Sequence, residues 1–194
     1  MKKARSPRDI EAISMVEFQQ PIRCCNVTAL AYGLTVLGHR TSTDDIFYTT
    51  RLPVASVLDD GMTLAETYDT ALRYVRLASL PVSVRILHFD RPEATLDWFR
   101  TELVRAVQEP DDIHLLNFNV NIAHGTSLGG GHFALLADYD QAKGTITIGD
   151  VNPRKYTRFW TCPDERMYRA CVDKDTASDR SRGLMVLRRE GSAT

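Results

Sequence analysis

The chain has no apolar run long enough to cross a bilayer. It also lacks an excess of either charge: 24 Lys and Arg stand against 25 Asp and Glu, for a formal net charge of −1. Acidic residues interleave the arginines, so no basic field points to nucleic acid or to an anionic membrane. Cysteine is scarce. Cys24, Cys25, Cys162 and Cys171 show none of the paired short spacings of a zinc site, and the adjacent Cys24 and Cys25 are poorly placed for a disulfide scaffold. Internal repeats, linkers and low-complexity tracts are missing too. The basic start, Met-Lys-Lys-Ala-Arg, is followed by no apolar stretch of the kind a secretion signal needs. The expectation is a cytoplasmic protein in a reducing compartment, keeping at least one thiol for reactivity.

At 194 residues, 43% of them hydrophobic, the chain can build a sizeable core. Residues 1–18 read as a leader, with a short helical piece around Asp9–Met15, and 19–194 as one domain. Val27, Leu30, Ala31, Leu34 and Leu37 form a helical stripe that ends at Gly38. Ser42 to Asp45 resembles a capping box opening a short helix through Tyr48, and Asp59-Asp60-Gly61 reads as a turn. Thr63 and Glu66 cap a helix with Leu64, Tyr68, Ala71, Leu72 and Val75 inward. Val82–Phe89 alternates as a strand. Pro92 opens a helix that turns Leu96, Phe99, Leu103 and Val107 inward. Thereafter Leu115–Val120, His132–Tyr139, Thr145–Ile148 and Leu184–Leu187 read as strands, the middle pair joined by a hairpin loop at Asp140–Gly144. Helices first and an antiparallel sheet second predict an α+β fold.

Chemistry concentrates in four residues, in the order Gln19, Cys25, His132, Asp150. This is the order of parts in a papain-like thiol acyl-transfer site. A thiolate nucleophile sits on a helix, and an imidazole, oriented by a carboxylate, faces it from a sheet. Cys25 at a helix start feels the positive end of the helix dipole, which favours the thiolate. Gln19 could pair its side-chain amide with the Cys25 backbone N–H as an oxyanion hole. Cys24 competes for the nucleophile's role, but its spacing from Gln19 fits less well and its side chain points about 100° away. Glycines 129–131 before His132 would let a substrate backbone approach the imidazole. The plainer alternatives are that Cys25 is a small buried residue and that Asp150 caps the turn into Val151-Asn152-Pro153. His39, His88, His114 and His124 read as surface or satisfied core residues, Trp98 and Trp160 as core or rim aromatics.

These segments resemble phytochelatin synthase, in its catalytic half and its short bacterial versions. The likeness is carried by Gln19–Leu30, Asp60–Glu66, Leu116-Asn117-Phe118, Gly130–Phe133, Gly149–Tyr156 and Asp175–Gly183. The resemblance implies a papain-like fold, with a helical N-terminal half packed on an antiparallel sheet from the C-terminal half. It implies attack by Cys25 on the Cys–Gly bond of glutathione, loss of glycine and a γ-glutamylcysteinyl thioester. That thioester would pass to a second glutathione or to water. It assigns Asp175 and Arg182 to the γ-glutamyl head group, where the guanidinium can fork a carboxylate and the carboxylate pair an ammonium. Without the resemblance, that pair reads as part of a surface charge cluster. No cofactor is required for the chemistry; heavy-metal ions would enter as thiol-bound activators or co-substrates. The expected partner is a small γ-glutamyl peptide, and a homodimer is left open. The sequence departs from the family at Asn26, in place of a glycine after the nucleophile, and at Asn119–Asn121, where an arginine is absent. The alternatives are a related Cys-His-Asp enzyme acting on another acyl donor and a non-catalytic thiol or metal buffer.

Overall fold

The computed structural model describes residues 13, 23–127, 130–152 and 154–191. The leader, its helical piece apart from Ile13, and Gln19 lie outside them. Four helices come first: α1 (Cys25–Val36), α2 (Thr43–Thr50), α3 (Val54–Asp60) and α4 (Leu64–Leu77). There follow β1 (Val82–His88), α5 (Leu96–Gln108), β2 (Asp112–Asn119), α6 (Val120–His124), β3 (Gly131–Asp140) and β4 (Thr145–Gly149). The chain continues through β5 (Phe159–Pro163), α7 (Asp164–Val172), the short β6 (Lys174–Asp175) and β7 (Arg180–Ser181), and β8 (Gly183–Arg189).

Six strands form one antiparallel sheet in the order β1-β8-β2-β3-β4-β5. The late strand β8 therefore slots between β1 and β2, tying the two halves of the chain together. Both sheet faces are covered. On one, Leu115, Phe133, Leu135 and Leu187 pack with α1, α2 and α4; on the other, Leu116, Phe118, Ala134, Leu136 and Leu184 pack with α5 and α7. Neighbours along β2 thus point into different cores, as the two-residue strand period demands. For the same reason β2 is buried along almost its whole length.

The local signals acted as capping chemistry requires. Ser42 with Asp45, and Thr63 with Glu66, form reciprocal capping boxes on α2 and α4. Several expectations need correction. The helix expected from Val27 begins two residues earlier, at Cys25, and is buried all round from Asn26 to Leu34 rather than on one stripe. Asp59 and Asp60 end α3, and Gly61 caps it with φ +76°. Leu72 faces solvent at 39% exposure, while Thr67, Thr70 and Tyr74 take the inner face of α4. The helix placed at Pro92 starts at Leu96, because Thr95 accepts the Trp98 N–H and caps it. The elements α3, α6, β5, α7, β6 and β7 had no expected counterpart.

Gly33 sets how closely α1 approaches the sheet. A Cβ there would lie 2.8 Å from Leu187 Cδ1, 3.2 Å from Leu115 Cδ1 and 3.3 Å from Ile113 Cγ2. A branched side chain would push the helix away from β2 and β8. Gly33→Val should destabilise the fold by about 1–3 kcal/mol, the usual cost of overpacking. A lowered denaturant midpoint at unchanged slope would show it, and an unchanged midpoint would refute this account of the contact.

Candidate active site

Cys25 is the first residue of α1 and is only partly buried, with its sulfur at the helix N-terminus. It hydrogen-bonds the His132 side chain, and the backbone N–H groups of Asn26 and Phe133 also reach it. Burial works against ionisation, but the His132 hydrogen bond and charge outweigh it and hold the thiol below its ordinary value. Cys24 differs in every respect. It is fully buried, and desolvation, with the Cys25 charge beside it, raises its thiol to about 11.

His132 lies near the start of β3, opposite Phe118 of β2. Its Nε2 is 3.0 Å from Asp150 Oδ1, which leaves Nδ1 as the ring nitrogen for Cys25. Burial opposes the imidazolium, yet hydrogen bonds and charges from Asp150 and Cys25 push its pKa up to about 10. Asp150, just beyond β4, is wholly buried. Burial disfavours its charge, but the His132 contact dominates, with help from Trp160 and Asn152, and holds the carboxyl below its usual range. Oδ1 accepts the Asn152 N–H at 2.8 Å and Oδ2 accepts the Trp160 indole N–H at 2.8 Å. The structure thus brings Cys25, His132 and Asp150 into one chain of contacts. Gln19 lies outside the described residues.

Two residues read as bland in the sequence prove to be neighbours of this chain. Trp160 binds Asp150 directly. His124 stacks on Tyr156 with centroids 4.8 Å apart at 8°, and lies 4.2 Å from the Trp160 ring. Burial lowers the His124 pKa, with Asp150 opposing the shift and the His132 charge adding to it, which favours the neutral ring. No motif marks either residue. The cross-strand pairing of Ile148 with Trp160 is what carries the indole to Asp150.

A cleft of about 690 Å³ opens over Cys25, within the range of small-molecule sites. Asp60 and Glu66 line one wall, and Asp175 and Arg182 also line it. The Arg182 guanidinium lies 3.7 Å from Asp175 and 3.5 Å from Asp173. Gly131 makes room for it: a Cβ there would fall 2.3 Å from Arg182 Nη1. Asn26 lines the cleft as well, its Oδ1 accepting the Val27 N–H. Among the described residues, no group of three or more His, Cys, Asp or Glu side chains is arranged to hold a metal ion. No described helix is long and apolar enough to cross a membrane.

A helix bearing a thiol against an antiparallel sheet bearing an imidazole and a carboxylate defines the papain-like class of cysteine enzymes. Solved structures share the architecture. The cysteine protease xylellain of Xylella fastidiosa is 13% identical, with a TM-score of 0.54, 98% of this chain covered and 95% of that one. The peptidase domain of Streptococcus ComA, a bifunctional ABC transporter, is 14% identical with a TM-score of 0.54, over 89% and 96% of the two chains. A double-glycine-motif protease from an AMS/PCAT transporter is 12% identical with a TM-score of 0.52, over 90% of each. No curated protein sequence matches significantly. The sequence profile of phytochelatin synthase matches residues 13–184, and the chain belongs to that family. Fold and family together support an enzyme of thiol-dependent acyl transfer or cleavage.

The electrostatics predict one hyper-reactive thiol. Alkylation by iodoacetamide should occur at Cys25, with a midpoint below the ordinary thiol value of 9.0. The sign follows from the shift: the thiolate appears as pH rises through the lowered value, and the imidazolium survives until about pH 10. In His132→Ala the hydrogen bond and charge that oppose burial are lost while the Phe133 and Asn26 N–H contacts remain, so the midpoint should rise. A midpoint unmoved by that substitution, in a folded variant, would dismiss the ion pair.

Proposed function

We propose that the chain is a γ-glutamylcysteine dipeptidyltransferase acting on glutathione, with Cys25 as nucleophile. The observation that carries the reading is the contact chain Cys25–His132–Asp150 opening into a cleft that also holds Asp175 and Arg182. The Cys25 thiolate attacks the carbonyl of the Cys–Gly amide. His132 gives its proton to the leaving glycine nitrogen, and a γ-glutamylcysteinyl thioester forms on Cys25. His132 then takes a proton from the incoming acceptor, a second glutathione or water, whose attack breaks the thioester. Asp150 holds the imidazole in its tautomer and stabilises the imidazolium. Gln19 is proposed to complete the oxyanion hole with the Cys25 N–H. Heavy-metal ions enter only as thiol-bound activators or co-substrates. Burial of Cys24, Cys162 and Cys171 counts against a thiol buffer, since three of four thiols are withdrawn from solvent.

Free glycine released from glutathione, with mass spectrometry of the acyl-enzyme, tests the reading. Cys25→Ser and Cys25→Ala should abolish release while Cys24→Ala keeps most of it. Equal loss from changes at both cysteines would remove the assignment of one nucleophile. No glycine from the intact protein, with Cys25 still hyper-reactive, would favour another acyl donor, as Asn26 in the cleft would then explain.

The head-group assignment has its own signature. Arg182→Ala and Asp175→Ala should each raise KM for glutathione about tenfold or more, in keeping with about 1.5–3 kcal/mol for a charge-assisted hydrogen bond. Both groups act away from the scissile bond, so kcat should change far less. Cys25 alkylation should be unaffected. Wild-type kinetics in both variants would remove the γ-glutamyl pocket.

A further inference from the structure

We propose that Trp160 is a positioning residue for the reaction: its indole N–H holds Asp150 in the orientation and charge state that His132 requires. It rests on the reading of Cys25, His132 and Asp150 as the reacting chain, but not on the identity of the substrate.

A carboxylate buried away from water must fill its acceptor sites or lose its charge. Asp150 is 0% exposed. Oδ1 is shared between His132 Nε2 and the Asn152 N–H, while among the described residues the hydrogen bond on Oδ2 comes from the Trp160 indole, at 2.8 Å. Indole N–H is a donor only, so the contact has one polarity and fixes Asp150 as the acceptor. Losing that donor favours protonation of the carboxylate or its rotation away from His132.

The indole is itself immobilised. Its ring meets Phe118 at 6.0 Å and 63°, and Phe118 in turn meets the His132 ring edge-on at 5.5 Å and 89°. On the other side lies His124, stacked on Tyr156, whose ring is 5.6 Å from that of His132. Trp160 and His132 therefore share an aromatic box that shields the carboxylate from water. The titratable and charged groups around it are Cys25 from α1, His124 from α6, and Tyr156, with Lys155 over its ring, from the segment after β4. Arg158 contributes its carbonyl to the Asp150 N–H, and its charge is felt at Tyr32. Among these, burial holds the His124 pKa below its ordinary value, which favours its neutral ring, while Cys25, His132 and Asp150 are linked directly to one another.

The test replaces Trp160 with Phe and, separately, with benzothienylalanine, which keeps the bicyclic shape but has sulfur in place of the N–H. The readout is the pH dependence of Cys25 alkylation, which needs no substrate and is therefore independent of the glutathione assignment. Circular dichroism checks folding. In both variants the low-pH limb should move up by about one unit, a tenfold loss of thiolate at fixed pH on that limb. Glycine release, if the substrate reading holds, should fall in kcat with KM little changed. Phe could disturb packing; the isosteric analogue does not. A folded benzothienylalanine protein with the wild-type alkylation profile would overturn the proposal, leaving Trp160 as a packing residue.

Discussion

The structure is organised around the hydrogen-bonded contact between Cys25 and His132, whose shifted pKa values favour an ion pair. Two opposite charges withdrawn from water are costly, and their attraction repays the cost only when every remaining polar site is matched. Here the matching is distributed over separate elements. The N-terminus of α1 and the Phe133 N–H support the sulfur, Asp150 supports the imidazole, and Trp160 with Asn152 supports Asp150. Each partner comes from a different part of the chain, so the site exists only when helix and sheet are docked in register. Gly33 governs that docking distance on α1, and the β2–β3 and β4–β5 registers govern the rest. Function and fold are thus coupled through a few shared contacts.

Much of this was legible in the sequence, and what was not has identifiable causes. Cys25, His132 and Asp150 could be read because their residue types, order and flanks are chemically specific. The strands β2, β3, β4 and β8 could be read because apolar β-branched and aliphatic runs mark them. The helix α3 escaped because it is short and follows Pro53, and β5 because Phe159–Pro163 presents aromatics, a cysteine and a proline instead of clean alternation. Leu72 shows the limit of a helical stripe, since a single apolar side chain on α4 can face water while threonines turn inward. Trp160 and His124 could not be read at all. Their importance depends on which residue lies across the sheet, and pairing registers are not written in local pattern. Asp175 and Arg182 were legible only through family resemblance; their charges alone look like a surface cluster.

The proposed head-group pair, Asp175 and Arg182, is carried by elements other than those that carry Cys25, His132 and Asp150. Arg182 sits between β7 and β8, its backbone N–H bonds the Asp173 carbonyl, and its side chain is mostly buried over Gly131. Asp175 sits on the β6–β7 hairpin, which joins the body through Arg180 with Asp90, Asn119 with Asp173, and His88 Nδ1 with the Ser181 carbonyl. Exposed ion pairs such as Arg180–Asp90 contribute about 0–1 kcal/mol, whereas the Ser181 hydroxyl accepting the Phe89 N–H is buried and worth more. The hairpin is therefore pinned firmly at its base and weakly along its outer side. Arg182 is held against Gly131 of β3, the strand that bears His132, while its ion-pair partner Asp175 is carried by the small hairpin. Changes to that hairpin can alter which end group fits the cleft while leaving the Cys25–His132–Asp150 contacts untouched.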